Sequence, residues 1–359
     1  MRTKKNNLFV VTYLLTCSIF TYGQTVLNAD GPGNTYELIN SVLAPGYNVI
    51  ETPDIIHNDF GRHITEVFDS ELNKFVFDFF IHLTPDNDIS TLKTDRQRNE
   101  IKTYASSPAN LKGTLGEIVR YKWRFKIPIG FQPSSTFTHI HQIKAVDGDD
   151  ADPIFTLTPR KGTPNKLELI YVKDEFSGTD KKVIVNLSLF EGNWVEATET
   201  ITIGPNGTYA IIIKKISDNA VILSYTNNNI ATIRPDNSFI RPKWGIYRSI
   251  ATPADLRDES IRFSDFSIEE LSVLSVNGFE NTLKSLTVFP NPVENNLSFT
   301  ETIVNSFKHY KIIDTSGKTI TSEKIKTNNI DVSHLKTGNY FIQLYHENKI
   351  AKTIQFLKK

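Results

Sequence analysis

Hydrophobic and polar residues alternate in short runs along most of the chain, a pattern typical of β-strands. The run Lys74–Leu83 is strongly apolar and ends at the turn Pro85–Asp88. The run Tyr121–Ile127 alternates without a break, with apolar residues on one face and basic residues on the other. A weak helical period appears around Glu37–Leu43. Residues 24–272 therefore predict an all-β domain, a two-sheet β-jelly roll of the concanavalin A-like sandwich type.

The N-terminal end differs from this middle. Residues 1–23 have three basic residues before an apolar run from Leu8 to Phe20, the order of a secretory signal peptide. The run is shorter than the roughly 20 residues of a membrane span. Cleavage removes Cys17, the single cysteine, so we expect a mature chain without disulfides or a membrane span. A lipoprotein anchored at Cys17 is the alternative, which Thr16 before it disfavours.

A second module is predicted over residues 285–359, after a linker at residues 273–284. It begins at Phe289–Pro292, has a turn at Asp314–Lys318 and a strand at Gly338–Leu344, and ends in two lysines. This order resembles the C-terminal sorting domain of the type IX secretion system of Bacteroidota, a small β-sandwich. The resemblance implies a secreted or cell-surface protein, with the secretion machinery as a partner. A carbohydrate-binding β-module is the alternative.

Charge is distributed unevenly over these regions. The whole chain has 40 basic and 40 acidic residues, but residues 24–284 have 27 basic and 34 acidic ones. The neutral total argues against nucleic acid as a partner. An acidic domain that binds an anionic ligand must concentrate its cations in one place.

Three predicted strands carry polar side chains with a period of two, which places them on one face of each strand. The first strand has Arg96, Arg98, Glu100 and Lys102 on one face. Such residues are costly in a core but suit a ligand groove, where arginine binds a carboxylate or sulfate through two hydrogen bonds. Glu100 can hold the flanking cations Arg98 and Lys102 in position. An ordinary solvated strand face is the alternative.

The second strand contains two histidines close to an amide and a lysine. His139 and His141 share one face, and Gln142 and Lys144 share the other. A buried, hydrogen-bonded histidine is the common structural alternative to a catalytic one. No cysteine or third well-spaced ligand accompanies the two histidines, so no metal is predicted here.

The third strand presents Lys243, Gly245 and Tyr247 on one face and is followed by Arg248. Gly245 would let a ligand approach the sheet closely. Tyr247 alone would be an ordinary packing aromatic, but its polar neighbours make a functional role an equal alternative.

Two further charged segments remain open. One strand face carries four basic residues: Arg120, Lys122, Arg124 and Lys126. They either line the groove or form the outer, solvated face of the second sheet, and the outer face is favoured. The acidic run Asp147–Asp152 is either a solvated turn, which is favoured, or a structural Ca²⁺ site. It lacks the residue order of an EF-hand loop. No other cofactor is expected.

The three polar strands together carry a motif order that resembles a known family. Arg-x-Glu-x-Lys, Gln-Ile-Lys and Lys-x-Gly-x-Tyr are similar to the strand motifs of secreted, alginate-lyase-like polysaccharide lyases, with ulvan lyases of polysaccharide lyase family 28 the nearest. The resemblance spans most of residues 60–270. It implies an endo-acting, monomeric enzyme that cleaves a uronate-containing, sulfated polysaccharide, favouring ulvan, by β-elimination. A jelly-roll glycoside hydrolase and a non-catalytic carbohydrate-binding protein are the alternatives.

The resemblance also implies roles for individual residues. Arg98 and Gln142 would bind the uronate carboxylate, and Tyr247 would be the general acid and could also be the base. The family has a histidine where this chain has Lys144, so the base is open among four side chains: His141, which is favoured, His139, Lys144 and Tyr247. Substrate contacts are expected from the polar residues of all three strands: Arg98, Glu100, Lys102, His139, Gln142, Lys144, Lys243 and Arg248.

Overall fold

The structure is a computed structural model that describes residues 24–55, 57–87, 93–271, 286–300, 303–304, 307–346 and 349–359. The predicted signal peptide at residues 1–23 and the predicted linker at residues 273–284 lie outside the described residues. The chain divides into two compact units, Met1–Ser272 and Val273–Lys359. None of the helices in the described segments has the length and apolar character needed to cross a membrane.

The first unit is built from antiparallel strands and one α-helix. The strands are β1 (Thr25–Leu27), β2 (Ile50–Glu51), β3 (Ile64–Asp69), β4 (Lys74–Ile81), β5 (Arg96–Lys102), β6 (Ile118–Lys126), β7 (Thr138–Val146), β8 (Phe155–Arg160), β9 (Lys166–Tyr171), β10 (Asp180–Asn186), β11 (Trp194–Thr202), β12 (Gly207–Lys215), β13 (Val221–Ile230), β14 (Phe239–Ser249) and β15 (Glu259–Leu271). The helices are α1 (Thr35–Leu43) and four short 3₁₀ turns at Pro53–Ile55, Ala109–Leu111, Leu187–Leu189 and Pro253–Asp255.

These strands form two sheets that enclose one hydrophobic core. The eight-stranded sheet has the order β13-β12-β11-β6-β15-β4-β3, with β1 also paired to β15. The seven-stranded sheet has the order β10-β9-β8-β7-β14-β5-β2. Neighbours far apart in sequence, such as β7 beside β14 and β14 beside β5, bring the three predicted polar strands together. This architecture confirms the prediction of an all-β, two-sheet sandwich.

Alternation along the strands explains how the sheets pack. On β6, the aromatic residues Tyr121, Trp123 and Phe125 are fully buried in the core, while the basic residues between them are half-exposed. A period of two gives each strand one buried and one outer face. Because β6 lies in the eight-stranded sheet, its basic residues are on the outer face of that sheet and not on the sheet that carries the polar strands.

The second unit is a smaller set of antiparallel strands: β16 (Val288–Phe289), β17 (Asn296–Phe299), β18 (His309–Asp314), β19 (Thr319–Lys324), β20 (Asn329–Asp331), β21 (Gly338–His346) and β22 (Lys349–Lys358). They form a three-stranded sheet, β16-β17-β20, and a four-stranded sheet, β19-β18-β21-β22. Leu297, Ile312, Ile342 and Phe356 are buried in a core of its own.

Candidate active site

One face of the seven-stranded sheet, turned away from the core, is lined with polar side chains from three adjacent strands. We call it the polar face, and its members are Arg96, Arg98, Glu100 and Lys102 of β5, His139, Gln142 and Lys144 of β7, and Arg241, Lys243 and Tyr247 of β14. Register places Tyr247 between Arg98 and His139. Arg241 and Tyr247 are six positions apart along β14, so the face has two ends.

A β-bulge decides which histidine reaches the polar face. The pairing of β14 with β7 shifts register between Trp244 and Tyr247. A bulge of this kind turns the next side chain to the other face. His139 therefore lies on the same face as Gln142, three residues later, while His141 points into the core.

His141 is a core histidine, which corrects its assignment as the favoured base. Its Nε2 lies 2.9 Å from a carboxylate oxygen of Glu199 on β11, and its Nδ1 lies 3.0 Å from the Lys243 carbonyl oxygen. The ring packs on Trp123 with centroids 4.2 Å apart. Both nitrogens are committed to buried partners, and the ring faces the opposite sheet.

Arg248 and Gly245 also differ from their predicted roles. Arg248 is fully buried on the core side, where its Nε donates to Gln97 at 2.8 Å and its Nη1 to the Arg257 carbonyl at 2.8 Å. Gly245 has φ 143°, and an added Cβ would lie 2.1 Å from the carbonyl oxygen of Asn99. The glycine therefore allows close approach of β5, a neighbouring strand, rather than of a ligand.

Tyr247 is surrounded by cations and aromatic rings. Arg96 Nη1 donates to Tyr247 Oη at 3.1 Å, and the Arg98 guanidinium lies over the ring at 3.7 Å from its centroid. The His139 ring centroid is 6.0 Å away, and Phe137 packs beside both rings, at 5.2 Å from Tyr247 and 5.0 Å from His139. Two guanidinium groups are thus positioned to stabilise negative charge on the tyrosine oxygen.

His139 is held as a neutral imidazole. Its Nδ1 lies 2.7 Å from Thr158 Oγ1 on β8. Burial, followed by the charges of Arg160, Arg98 and Lys243, lowers the pKa of His139 to about 3, against the opposing effect of Glu100. A neutral ring bonded at Nδ1 can donate or accept a hydrogen bond at Nε2.

Two carboxylates, the buried Glu100 and the half-buried Glu51, organise the cations in the middle of the polar face. Glu100 contacts Arg98 Nη1 at 2.7 Å and Lys243 Nζ at 2.7 Å, and it accepts a short hydrogen bond from Gln142. Glu51 of β2 contacts Lys102 Nζ at 2.7 Å and Lys243 Nζ at 2.5 Å. Glu100 therefore holds Arg98 as predicted from the sequence, whereas Lys102 pairs with Glu51.

These contacts fix the charge of both carboxylates. Burial alone would raise the pKa of Glu51 and of Glu100, but the neighbouring cations, Lys243 first, lower both pKa values below the ordinary range. Both groups are consequently ionised and act as anchors for cations.

The other end of the polar face has an excess of positive charge. Lys144 and Arg241 are paired across β7 and β14. Lys144 Nζ donates to the backbone carbonyls of Asp150 and Ala151, the latter at 2.9 Å. Burial, with Lys243 and Arg241 nearby, lowers the pKa of Lys144 to about 8.

Arg241 is the least satisfied of these cations. It is 5% exposed, and its Nε and Nη1 have no hydrogen-bond partner in the described part of the chain. Its guanidinium lies 4.9 Å from the Tyr104 ring centroid, and Lys102 Nζ lies 4.7 Å from the same ring. Burial lowers the pKa of Arg241, although the charges of Glu51 and Glu100 oppose this shift.

Three residues of the candidate site were not predicted from the sequence: Arg241, Glu51 and Thr158. Arg241 could have been found, because it lies two residues before Lys243 and so shares its strand face. Glu51 and Thr158 carry no such signal, since each belongs to a separate strand whose neighbours are set only by the topology.

The acidic run Asp147–Asp152 uses its carbonyl oxygens to bind protein cations. The buried Arg234 donates to the carbonyls of Asp149 and Asp152 at 3.0 and 2.7 Å, and Lys144 donates to two others in the run. These donors occupy oxygens that a Ca²⁺ ion would need, and Ca²⁺ at this run stays a prediction.

Comparison with known proteins identifies the second unit. Residues 287–359 match the family model of the secretion system C-terminal sorting domain, which indicates a secreted or cell-surface protein. No curated protein sequence matches the chain.

Several solved structures resemble part of the chain. An endo-β-1,4-glucuronan lyase from the fungus Trichoderma reesei is 17% identical, with 59% of this chain and 91% of that chain covered and a TM-score of 0.42. A family 7 alginate lyase, A1-II′, bound to product is 12% identical, with 62% and 94% covered and a TM-score of 0.45. The alginate lyase from Klebsiella pneumoniae is 9% identical, with 58% and 84% covered and a TM-score of 0.44. At these values the likeness does not assign a substrate or a reaction to this chain.

Proposed function

We propose that the protein is a secreted, endo-acting polysaccharide lyase that cleaves a uronate-containing, sulfated polysaccharide, with ulvan favoured, by β-elimination. The observation that carries this proposal is the cluster at one end of the polar face, in which Tyr247 lies between Arg96, Arg98 and the neutral His139. A tyrosine among guanidinium groups provides proton transfer and carboxylate binding in one place.

Elimination requires the C5 proton of the uronate to leave while the adjacent carboxylate resists further negative charge. In the proposal, Arg98 and Arg96 bind that carboxylate and stabilise the enolate-like transition state. Glu100 and Gln142 are positioning residues that fix Arg98 and Lys243 through the contacts described above. Lys243 adds a buried positive charge behind the carboxylate.

Tyr247 is the proposed base and acid. Its phenolate takes the C5 proton, the C4–O bond breaks as the C4–C5 double bond forms, and the resulting phenol protonates the departing glycosidic oxygen. His139 is a weak base because its pKa is about 3, whereas a phenolate is a strong one. We therefore assign His139 a hydrogen bond to substrate rather than the removal of the proton.

Charge in the middle and at the other end of the polar face supports a sulfated polymer. Five cations, Arg98, Lys102, Lys144, Arg241 and Lys243, surround the two carboxylates Glu51 and Glu100. The partnerless nitrogens of Arg241 suit the oxygens of a second anionic group, such as a sulfate on a neighbouring sugar.

A glycoside hydrolase fits the polar face less well. Hydrolysis needs a carboxylic acid that holds its proton at neutral pH, opposite a second carboxylate. Glu51 and Glu100 instead have lowered pKa values, because both are paired with cations.

Export follows from the second unit. The sorting-domain match at residues 287–359 supports delivery through a type IX secretion system, which would bring the proposed enzyme to extracellular polymers. The predicted signal peptide would provide the first step of that route.

The proposal is tested with the purified full chain and four polymers: ulvan, glucuronan, alginate and heparin. Unsaturated uronate absorbance and reducing ends are followed together, and we expect both to rise fastest with ulvan. Reducing ends without absorbance would mean hydrolysis. Retention on a polymer with neither signal would mean a binding protein.

A further inference from the structure

Three histidines and one aspartate converge at the open end of the β3–β4 hairpin. His57 Nε2 lies 2.8 Å from Asp86 Oδ1, and His63 Nε2 and His82 Nδ1 lie 2.9 and 3.0 Å from Asp86 Oδ2. The two nitrogens of His63 and His82 are 3.2 Å apart. Asp86 and His63 have no exposed side-chain surface, while His57 and His82 are 13% and 19% exposed.

Protons alone satisfy this arrangement poorly. His63 Nε2 and His82 Nδ1 face the same carboxylate oxygen and also face each other. If both nitrogens are protonated, two N–H groups crowd one oxygen. If one is not, its lone pair can accept the N–H of the other ring at 3.2 Å but also faces the carboxylate oxygen. A divalent cation between the donors would use all of these lone pairs.

The distances match the size of a tetrahedral zinc site. Ligands bound at 2.0–2.1 Å around a tetrahedral ion lie about 3.3 Å from one another. Four of the six donor pairs are separated by 2.8 to 3.2 Å, and the donor atoms of His57, His63 and Asp86 all lie within 4.8 Å of one another. An ion held by these three needs small shifts of its ligands, and His82 must move toward it to become the fourth. Imidazole and carboxylate together are a donor set that zinc accepts.

An outer set of contacts orients the central histidine. His63 Nδ1 lies 3.2 Å from Asp54 Oδ1, and Asp54 in turn accepts hydrogen bonds from Tyr36 Oη at 2.8 and 3.0 Å. A carboxylate behind a metal-binding histidine fixes its tautomer and strengthens it as a ligand. Phe60 stacks on the His82 ring at 3.8 Å and covers the cluster.

The backbone around the cluster is anchored to β5. Gln97 Nε2 donates to the carbonyls of His82 and Leu83, and Asn99 Nδ2 donates to the His63 carbonyl at 2.9 Å. Gln97 and Asn99 are buried on the side of β5 away from Arg98. The cluster is thus part of the framework behind the polar face and not part of that face.

We propose that His57, His63, His82 and Asp86 form a structural Zn²⁺ site. Four protein ligands complete a tetrahedral coordination shell, so the ion would link residues 57–63 to residues 82–86 and have a structural rather than a catalytic role. The spacing of these four residues matches no regular zinc motif, which is why the sequence gives no signal for the site.

The test uses the full chain, stripped with a chelator and then reloaded with Zn²⁺. We expect one zinc per chain by elemental analysis and a rise in Tm on the order of 5–10 °C when zinc exceeds its Kd about 100-fold. His57→Asn, which alters a partly exposed ligand, should lose both effects. His334→Asn, an exposed histidine of the second unit, is the matched control and should keep them.

Cobalt provides a measurement that does not depend on a variant. Co²⁺ in the wild-type chain should give the intense visible absorption of a tetrahedral ion, and added Zn²⁺ should remove it. Weak absorption typical of six-coordinate Co²⁺, no zinc retention, or equal zinc retention in His57→Asn would each overturn the proposal. The cluster would then be a network of protonated histidines around Asp86.

Discussion

Two strand faces of this protein carry the same alternation of basic residues but belong to different environments. The outer face of β6, with Arg120, Lys122, Arg124 and Lys126, is neutralised by half-exposed acids at its side. Lys122 Nζ lies 2.9 Å from Glu196, and Arg124 contacts Glu196 at 3.0 Å and Asp265 at 2.8 Å. Exposed pairs of this kind contribute about 0–1 kcal/mol each to stability.

The polar face differs from this outer face in burial and in charge balance. Lys243 and Arg241 are almost completely buried, and two carboxylates serve five cations. Alternation alone therefore does not identify a binding site. Buried cations that outnumber their carboxylate partners do identify a binding site. Burying uncompensated positive charge is costly unless a ligand supplies the missing negative charge.

The change with the largest expected effect is Tyr247→Phe. Loss of the hydroxyl should lower kcat by at least about 10²–10⁴-fold, the usual contribution of a proton-transferring side chain. Rates of unsaturated uronate formation would measure it. Tyr47→Phe, at an exposed tyrosine that is not a member of the polar face, should behave like the wild type. Near-normal turnover in Tyr247→Phe would remove the proposed acid and base.

A matched pair of arginines tests the contrast between the two faces. Arg241→Gln should lower kcat/KM on ulvan by about 10- to 100-fold, because a hydrogen bond to a charged group contributes about 1.5–3 kcal/mol. Arg124→Gln, on the outer face of β6, should stay within about twofold. On chemically desulfated ulvan the Arg241 effect should shrink. Equal effects of both variants would mean that burial does not distinguish the two faces.

The charge of Lys144 on the polar face should depend on pH in a range where an ordinary exposed lysine stays charged. Its pKa is lowered to about 8, so it loses its charge above that pH while an exposed lysine stays charged to about 10. KM for the anionic polymer should rise about fivefold between pH 7 and pH 9, which corresponds to about 1 kcal/mol. Lys144→Arg should abolish the rise. An unchanged rise in that variant would assign the titration to another group.

The smallest expected effect is that of His139 on the pH dependence of folding stability. The unfolded state protonates a histidine at about pH 6.5, but the folded state does so only near pH 3, so folding stability falls as pH decreases through this window. The slope from one proton is at most about 1.4 kcal/mol per pH unit. Denaturant unfolding at pH 7 and pH 5 should show a smaller loss in His139→Asn than in the wild type. Parallel losses would mean that His139 is protonated in the folded protein.

The sequence was sufficient for the architecture and for much of the polar face. Short alternating runs predict strands, and a period of two correctly grouped Arg96, Arg98, Glu100 and Lys102 on one face of β5. The same rule placed Lys243 with Tyr247 on β14. These inferences hold because alternation within one strand is a local property.

The choice between the two histidines could not be made locally. A bulge between β7 and β14 moves His139 onto the polar face and leaves His141 in the core, and alternation does not encode a bulge. The role of Glu51 could not be predicted either, because β2 is only two residues long and its pairing with β5 is set by the sheet order. Arg241 was visible in the strand pattern and was overlooked.

Product mass tests the central claim most directly. Elimination adds no water, so the fragments of each cut in a defined ulvan oligosaccharide should together equal the parent mass, with one fragment carrying a C4–C5 double bond. Mass spectrometry of digests by the wild-type chain should show these unsaturated ends and none from Tyr247→Phe. Fragments that together exceed the parent by one water molecule would show hydrolysis and contradict the account.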